Sequence, residues 1–192
     1  MARAWLKDQL ARDKEYSGRV DYSPEDDEPK INAWLEVQGV TDRLIYMFVD
    51  GAFIRRKVSN GYVEGGHFYR YGWIPEDQIW LEDIMSVVDQ FCTGIHETHE
   101  RYRMKWLGWN YEKAHASASA CEQEVRLLLA KKGTIIPMAE DIAKIFEMEA
   151  QGEDSLPTVE KFLKSEAKKA KEAEFQSNHS VGKQEFEGLK EN

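Results

Sequence analysis

The chain has 192 residues, 42% of them apolar and including 6 Trp, 8 Tyr and 8 Phe, which suffices for a buried core and is too aromatic for a wholly disordered chain. Its formal charge of −9 argues against a phosphate-driven nucleic-acid binder or an adaptor for anionic membranes, since both need a basic face. No apolar run is long enough to span a bilayer and Met1 to Asp8 lacks the apolar core of a signal peptide, so a cytoplasmic protein without a membrane partner is expected.

In chain order, Trp5, Leu6 and Leu10 among charged residues predict a short amphipathic helix that packs on the body or on a protein partner. Tyr22 to Lys30 is acidic, holds two prolines and has no periodicity, as a solvated linker does. From Ala33 to Tyr71 the pattern is that of strands. Arg43 to Val49 and Phe53 to Val58 flank Asp50-Gly51, and Asn60-Gly61 separates the latter run from Tyr62-Val63 and His67 to Tyr71. Both dipeptides suit tight hairpin turns, so a small antiparallel meander is predicted, with Trp34 to Val37 as a further strand. Gly65-Gly66 allows a bulge that would bring His67 near a functional surface, although an isolated histidine on a half-exposed strand is more often an ordinary edge residue than a ligand.

Pro75 biases Ile74 towards an extended backbone, and Ile74 to Trp80 is expected to lead the chain out of the sheet. Ile84, Val87, Val88, Phe91 and Ile95 form one apolar stripe of a long helix that Tyr102, Trp106 and Trp109 extend. Gly108 is its expected stop and Asn110 the N-cap of a second helix, with Glu112 in the first turn, giving a tight antiparallel hairpin. Ala114, Ala118, Cys121 and Val125 share a face whose small side chains permit close approach. Neither Cys92 nor Cys121 belongs to a CxxC, so both are expected to be reduced. A third helix uses Ile142, Ile145 and Phe146, and a fourth begins with Val159, Phe162 and Leu163, grades into a run of Lys and Glu, and is expected to give way to a tail without structure from Gln176. The reading is an α+β protein: residues 1–30 are an N-terminal helix and acidic linker, 31–150 the core domain, and 151–192 a charged helix and flexible tail.

The chemistry concentrates in His96-Glu97-Thr98-His99-Glu100. At 100° per residue, with His96 at zero, Glu100 falls at about 40°, Arg103 at about −20° and His99 at about −60°, whereas Glu97 stands off at about 100°. On the next helix Glu122 lies at about −20° and Arg126 at about 20° from His115. An antiparallel hairpin that joins these stripes would place His96, Glu100 or His99, His115 and Glu122 around one point, a donor set for Zn²⁺ that Fe²⁺ and Mn²⁺ also accept. In the HExxH helix of metalloproteases the Glu after the first His is the general base. Here position i+4 from His96 is Glu100, so a carboxylate would replace the second imidazole, with Glu97 as base or as part of a wider site. The competing reading is a salt-bridged hairpin, with Glu97–Arg101, Glu122–Arg126 and Glu100–Arg103 as helical ion pairs.

Gly65-Gly66-His67, Ile74-Pro75 with Ile79-Trp80, His96-Glu97-x-His99-Glu100-Arg101 with Met104, and Tyr111-x-x-Ala114-His115-x-x-Ala118-x-x-x-Glu122 together resemble a group of uncharacterised prokaryotic and phage-encoded proteins. The resemblance spans Gly65 to Arg126. It implies that this stretch is one module in a bacterial or phage setting, the host cytoplasm or the virion, and it implies no activity. The expected function is a metal-binding protein of zinc-dependent, peptidase-like hydrolase type, with His96, Glu100 and His115 as ligands, Glu122 and His99 as alternates, and Glu97 as catalytic base. The alternative is a non-enzymatic phage or bacterial interaction protein whose hairpin is held by a structural metal or by salt bridges and which docks on partners through the N-terminal helix or the C-terminal tail.

Overall fold

The computed structural model describes residues 31–132 and 137–188, with side chains at 31–131 and 137–173. The expected N-terminal helix, the acidic linker and residues 189–192 lie outside the described residues. The fold is α+β, a small sheet followed by helices.

The strand β1 (Ile31–Gln38) pairs antiparallel with β2 (Arg43–Val49) in the register Val37↔Leu44, and Leu44, Tyr46 and Val49 of β2 are fully buried. The next segment departs from the predicted meander. Where a strand was expected at Phe53 to Val58, the helix α1 (Gly51–Lys57) forms, capped by Asp50, whose side chain accepts a 2.8 Å hydrogen bond from the Phe53 amide. Asp-Gly starts a hairpin or caps a helix equally well, and burial decides: Phe53, Ile54 and Val58 are buried on one helical face, and Arg55, Arg56 and Lys57 fill the last turn, where the helix dipole favours cations. Asp50→Ala is expected to destabilise the fold by about 1 kcal/mol, the usual worth of an N-cap, read as a lowered urea midpoint at unchanged slope.

The short strand β3 (Gly65–His67) and β4 (Gln78–Glu82) complete the sheet in the order β1-β2-β4-β3. β4 runs parallel to β2 and antiparallel to β3, so the sheet is mixed and not a meander. Ile79 and Trp80, expected in the crossover out of the sheet, form an interior strand with Leu81. A strand covered on both faces has a continuous apolar run and no alternation, which is why periodicity misses it.

Against this sheet lies α2 (Val87–Leu107), opened by Ser86, which accepts from the Asp89 amide, and closed by Gly108 in the left-handed conformation at φ 64°. Every residue from Gln90 to Arg101 is buried, so α2 is enclosed on all sides. Asn110 caps α3 (Tyr111–Lys132) through the Lys113 amide, as the sequence predicts. The contacts Asp89 to Arg126, His96 to Glu122 and Glu100 to His115 make α2 and α3 antiparallel, and the expected alanine face is buried at Ala114 and Ala118. α4 (Ala139–Gln151) packs Ile142, Ile145 and Phe146 on the other flank of α2. It comes so close that a Cβ at Gly94 would lie 2.3 Å from Cζ of Phe146. α5 (Leu156–Gly188) adds Val159 and Leu163 to the same core. No helix among the described residues is long and apolar enough to cross a membrane.

Arg101, 1% exposed, does not pair with Glu97 in the expected i,i+4 manner. It turns to the strand side and donates to Asp42 Oδ2 at 2.8 Å and to the Glu76 carbonyl at 2.7 Å, tying α2 to two loops of the sheet. Burial alone would raise the Asp42 carboxyl, but Lys105 and Arg101 hold it below its ordinary value.

Candidate metal centre

The hairpin brings one atom from each of three side chains to a common point. His96 Nε2 lies 3.1 Å from His115 Nδ1, His115 Nδ1 lies 2.9 Å from Glu100 Oε2, and His96 Nε2 lies 3.6 Å from the same oxygen. Nitrogen and oxygen donors bound to a tetrahedral ion at about 2.0–2.1 Å stand about 3.3 Å from one another, and the three separations straddle that value. With Glu100 ionised, a proton on His115 Nδ1 serves both close contacts, Glu100 Oε2 at 2.9 Å and the His96 Nε2 lone pair at 3.1 Å, whereas a proton on His96 Nε2 alone leaves the His115 lone pair against the carboxylate and protons on both set two N–H groups head to head. A cation at the centre makes all three contacts attractive.

Surrounding groups point these donors inward. His96 Nδ1 donates to Glu122 Oε2 at 2.9 Å, the arrangement that orients metal-binding histidines, and an ion at Nε2 would take the place of the proton there. Glu122 is itself held by Arg126 at 2.8 Å, and Arg126 by Asp89 at 2.7 Å. The predicted Glu122–Arg126 pair is thus present, and it serves the histidine. The hydrogen bond from His96 lowers the Glu122 pKa, with Arg126 adding to the effect against burial. On the other side, His67 Nε2 donates to Glu100 Oε1 at 3.0 Å. His67 lies on an edge strand, β3, as expected, but it is fully buried and not half in solvent, and its Nδ1 has no hydrogen-bond partner among the described residues. Burial lowers its pKa, so it is the neutral tautomer with the proton on Nε2. Burial disfavours charge on Glu100 as well, yet His67, His96 and His115 outweigh it and bring its pKa down to about 2. For His96 burial opposes protonation, but the close approach of Glu100 and Glu122 pushes its pKa up to about 10.

Glu97 takes a different position, as the helical wheel predicts. Its carboxylate approaches His67 Nε2 only to 3.9 Å, beyond hydrogen-bond range, and lines a cavity of about 380 Å³ together with His96, Glu100, His115 and Glu122. Burial, reinforced by the charges of Glu100 and Glu122 and countered by His96, pushes its pKa up to about 8. Gly65 of β3 is what makes room for it: a Cβ there would sit 2.7 Å from Thr93 Cγ2 and 2.9 Å from Glu97 Cγ. His67, Glu97 and Glu100 form a second group of ligand-type atoms beside the first.

His99 separates from the others. It points to α4, where Nδ1 lies 2.8 Å from Glu149 Oε2, and Nε2 lies 2.9 Å from Ser117 Oγ. Arg103 Nε donates to that Ser117 oxygen at 3.0 Å, and Ser155 Oγ donates to Glu149 Oε1 at 2.6 Å. With Cys121, His99 and Glu149 also form a group able to hold an ion. Here, though, a single proton fits each strong contact: Arg103 donates to Ser117, Ser117 to His99, His99 to Glu149. This chain is a satisfied polar clamp between α2, α3 and α4. Arg103 therefore belongs to the clamp, and its expected pair with Glu100 is not formed.

Of the residues singled out in the sequence, the structure gathers His96, Glu100 and His115 at one point, puts Glu97 and Glu122 beside it, and places His99 elsewhere. It adds His67 and, on the cavity wall, Arg70, Tyr71 and Tyr111. Gly65-Gly66 was the signal for His67, since a strand stripped of side chains lets a neighbouring helix approach. No protein-family model, curated protein or solved structure matches this chain, so its functional reading rests on the buried His and Glu groups and their geometry, which are capable of holding a metal ion.

Proposed function

We propose that this protein is a metal-dependent hydrolase of amide or peptide bonds, with the ion on His96 Nε2, Glu100 Oε2 and His115 Nδ1. The observation that carries it is the convergence of these three donor atoms, one from each side chain, at separations that straddle those of ligands on one ion. Zn²⁺ suits three N/O ligands with a fourth position open to the cavity, and Fe²⁺ or Mn²⁺ accept the same donors.

A bound ion supplies Lewis acidity and lowers the pKa of water. Glu97, next in sequence to a ligand yet outside the triangle, is placed to accept a proton from the attacking water and return it to the departing amine. A structural metal in an interaction protein would call for a fourth protein ligand; the fourth side here opens on the cavity.

Metal analysis of the full chain purified without added metal tests the reading. One ion per chain is expected, and the His96→Ala, His115→Ala double variant is expected to contain none. Folded wild-type protein that neither contains nor takes up Zn²⁺, Fe²⁺ or Mn²⁺ would rule the site out.

A further inference from the structure

We propose that the cavity selects substrates with a free carboxylate and that Arg70 is the residue that recognises it; this rests on the hydrolase reading of the same site. The cavity wall is acidic, with Glu64, Glu97, Glu100 and Glu122, and Arg70 is the permanent cation among its described lining residues. The Arg70 guanidinium lies 4.3 Å from the centroid of the Tyr111 ring and 5.1 Å from that of Tyr71. Tyr111 in turn stacks on the His115 ring at 5.1 Å and 23°. Arg70 is thus connected to an ion ligand through one aromatic ring. Two aromatic faces orient its plane while no carboxylate of the described residues pairs with it, which leaves a charged fork of donors at the mouth of an acidic pocket.

An anion of matching shape is the ligand such a fork takes. The wall decides which one. A phosphate near two negative charges would meet repulsion from four glutamates about twice as strong as a carboxylate meets, and a planar carboxylate matches the guanidinium edge. A volume of about 380 Å³ accommodates a small molecule and no long polypeptide stretch. The substrate class is therefore a short peptide or N-acyl amino acid, its terminal carboxylate on Arg70 and the adjacent amide at the ion site. In the reaction the water oxygen bonds to the acyl carbon, the C–N bond breaks, and the amine leaves with the proton that Glu97 returns. The products are a carboxylic acid and a free amino acid.

The test is a panel of N-acetyl dipeptides, each as the free acid and as the matching primary amide, assayed with the zinc-loaded full chain, Arg70→Gln and Arg70→Lys. Free acids should be favoured in kcat/KM by about 10- to 100-fold, the factor expected of a charge-assisted hydrogen bond. Arg70→Gln should abolish that preference, and Arg70→Lys should restore part of it. Calorimetric binding of the same pairs to zinc-loaded Glu97→Gln protein gives a readout without turnover. Equal zinc-dependent hydrolysis of acids and amides overturns the carboxylate preference and leaves the hydrolase reading standing. Hydrolysis of neither, with acids still bound in an Arg70-dependent way, overturns the hydrolase reading and supports Arg70 as the recognition residue. Equal binding of acids and amides with no hydrolysis overturns both.

Discussion

Glu97→Gln is expected to keep one metal ion per chain and to lose hydrolytic activity by about 10²- to 10⁴-fold, the range that a positioned general base supplies. The amide is isosteric with the carboxylate and fits the same space against Gly65, where Glu97 Cγ lies 2.9 Å from the position of a Cβ, so the fold should be unaffected. What the substitution removes is the capacity to take a proton. Metal content and rate together separate the two roles open to this residue. If Glu97 acts on water from outside the triangle of His96, Glu100 and His115, the ion stays and the rate falls. If it binds an ion with His67 and Glu100, the second group of ligand-type atoms, metal content falls as well, and its assignment as base is wrong. Metal quantification beside steady-state kinetics on one preparation gives both answers.

Phe146→Ala should destabilise the protein by about 3–5 kcal/mol, the cost of truncating a fully buried phenylalanine in a core that cannot collapse around the gap. Its ring stacks on Tyr46 at 4.5 Å and on Phe91 at 6.0 Å, meets Trp34 edge-on at 5.8 Å, and covers the bare backbone of Gly94. It therefore joins β1, β2, α2 and α4 at one position, and neighbours drawn from so many elements cannot all move inward. Urea denaturation followed by near-ultraviolet circular dichroism, which reports on these aromatics, would measure the loss; a change below about 1 kcal/mol would show that the four elements are not packed as described.

The hairpin was legible because its signals are local. Gly108, Asn110 and Glu112 mark a stop and a start at a fixed spacing, and two stripes facing each other across an antiparallel turn require no knowledge of the remaining chain. His96, Glu100 and His115 could be selected on that basis, as could the offset of Glu97. His99 could not be separated from His96 by the same means, because about 60° on a wheel is one broad face when a helix has one neighbour. α2 has neighbours on all sides, and whether His99 turns to His115 or to Glu149 depends on where α4 docks. The full burial of His67 likewise depends on a strand order in which β4 enters between β2 and β3. At α1 the local signal was ambiguous: Asp50-Gly51 begins either structure, and the burial of Phe53, Ile54 and Val58 on one helical face, which depends on the rest of the fold, decides between them.

The enclosure of α2 governs how the donors are presented. On a helix about 10–12 Å across, a roll of about 10° about its axis would carry a side-chain tip by about 1 Å, enough to take His96 and Glu100 out of register with His115. The Phe146 ring seated against Gly94 and the His99–Glu149 hydrogen bond, both from α4, together with the Arg101–Asp42 pair on the sheet side, oppose such a roll. The three donor atoms are thus held in place by contacts far from them, and under the proposed function an arriving ion would find its ligands already arranged, with little ordering left to oppose its binding.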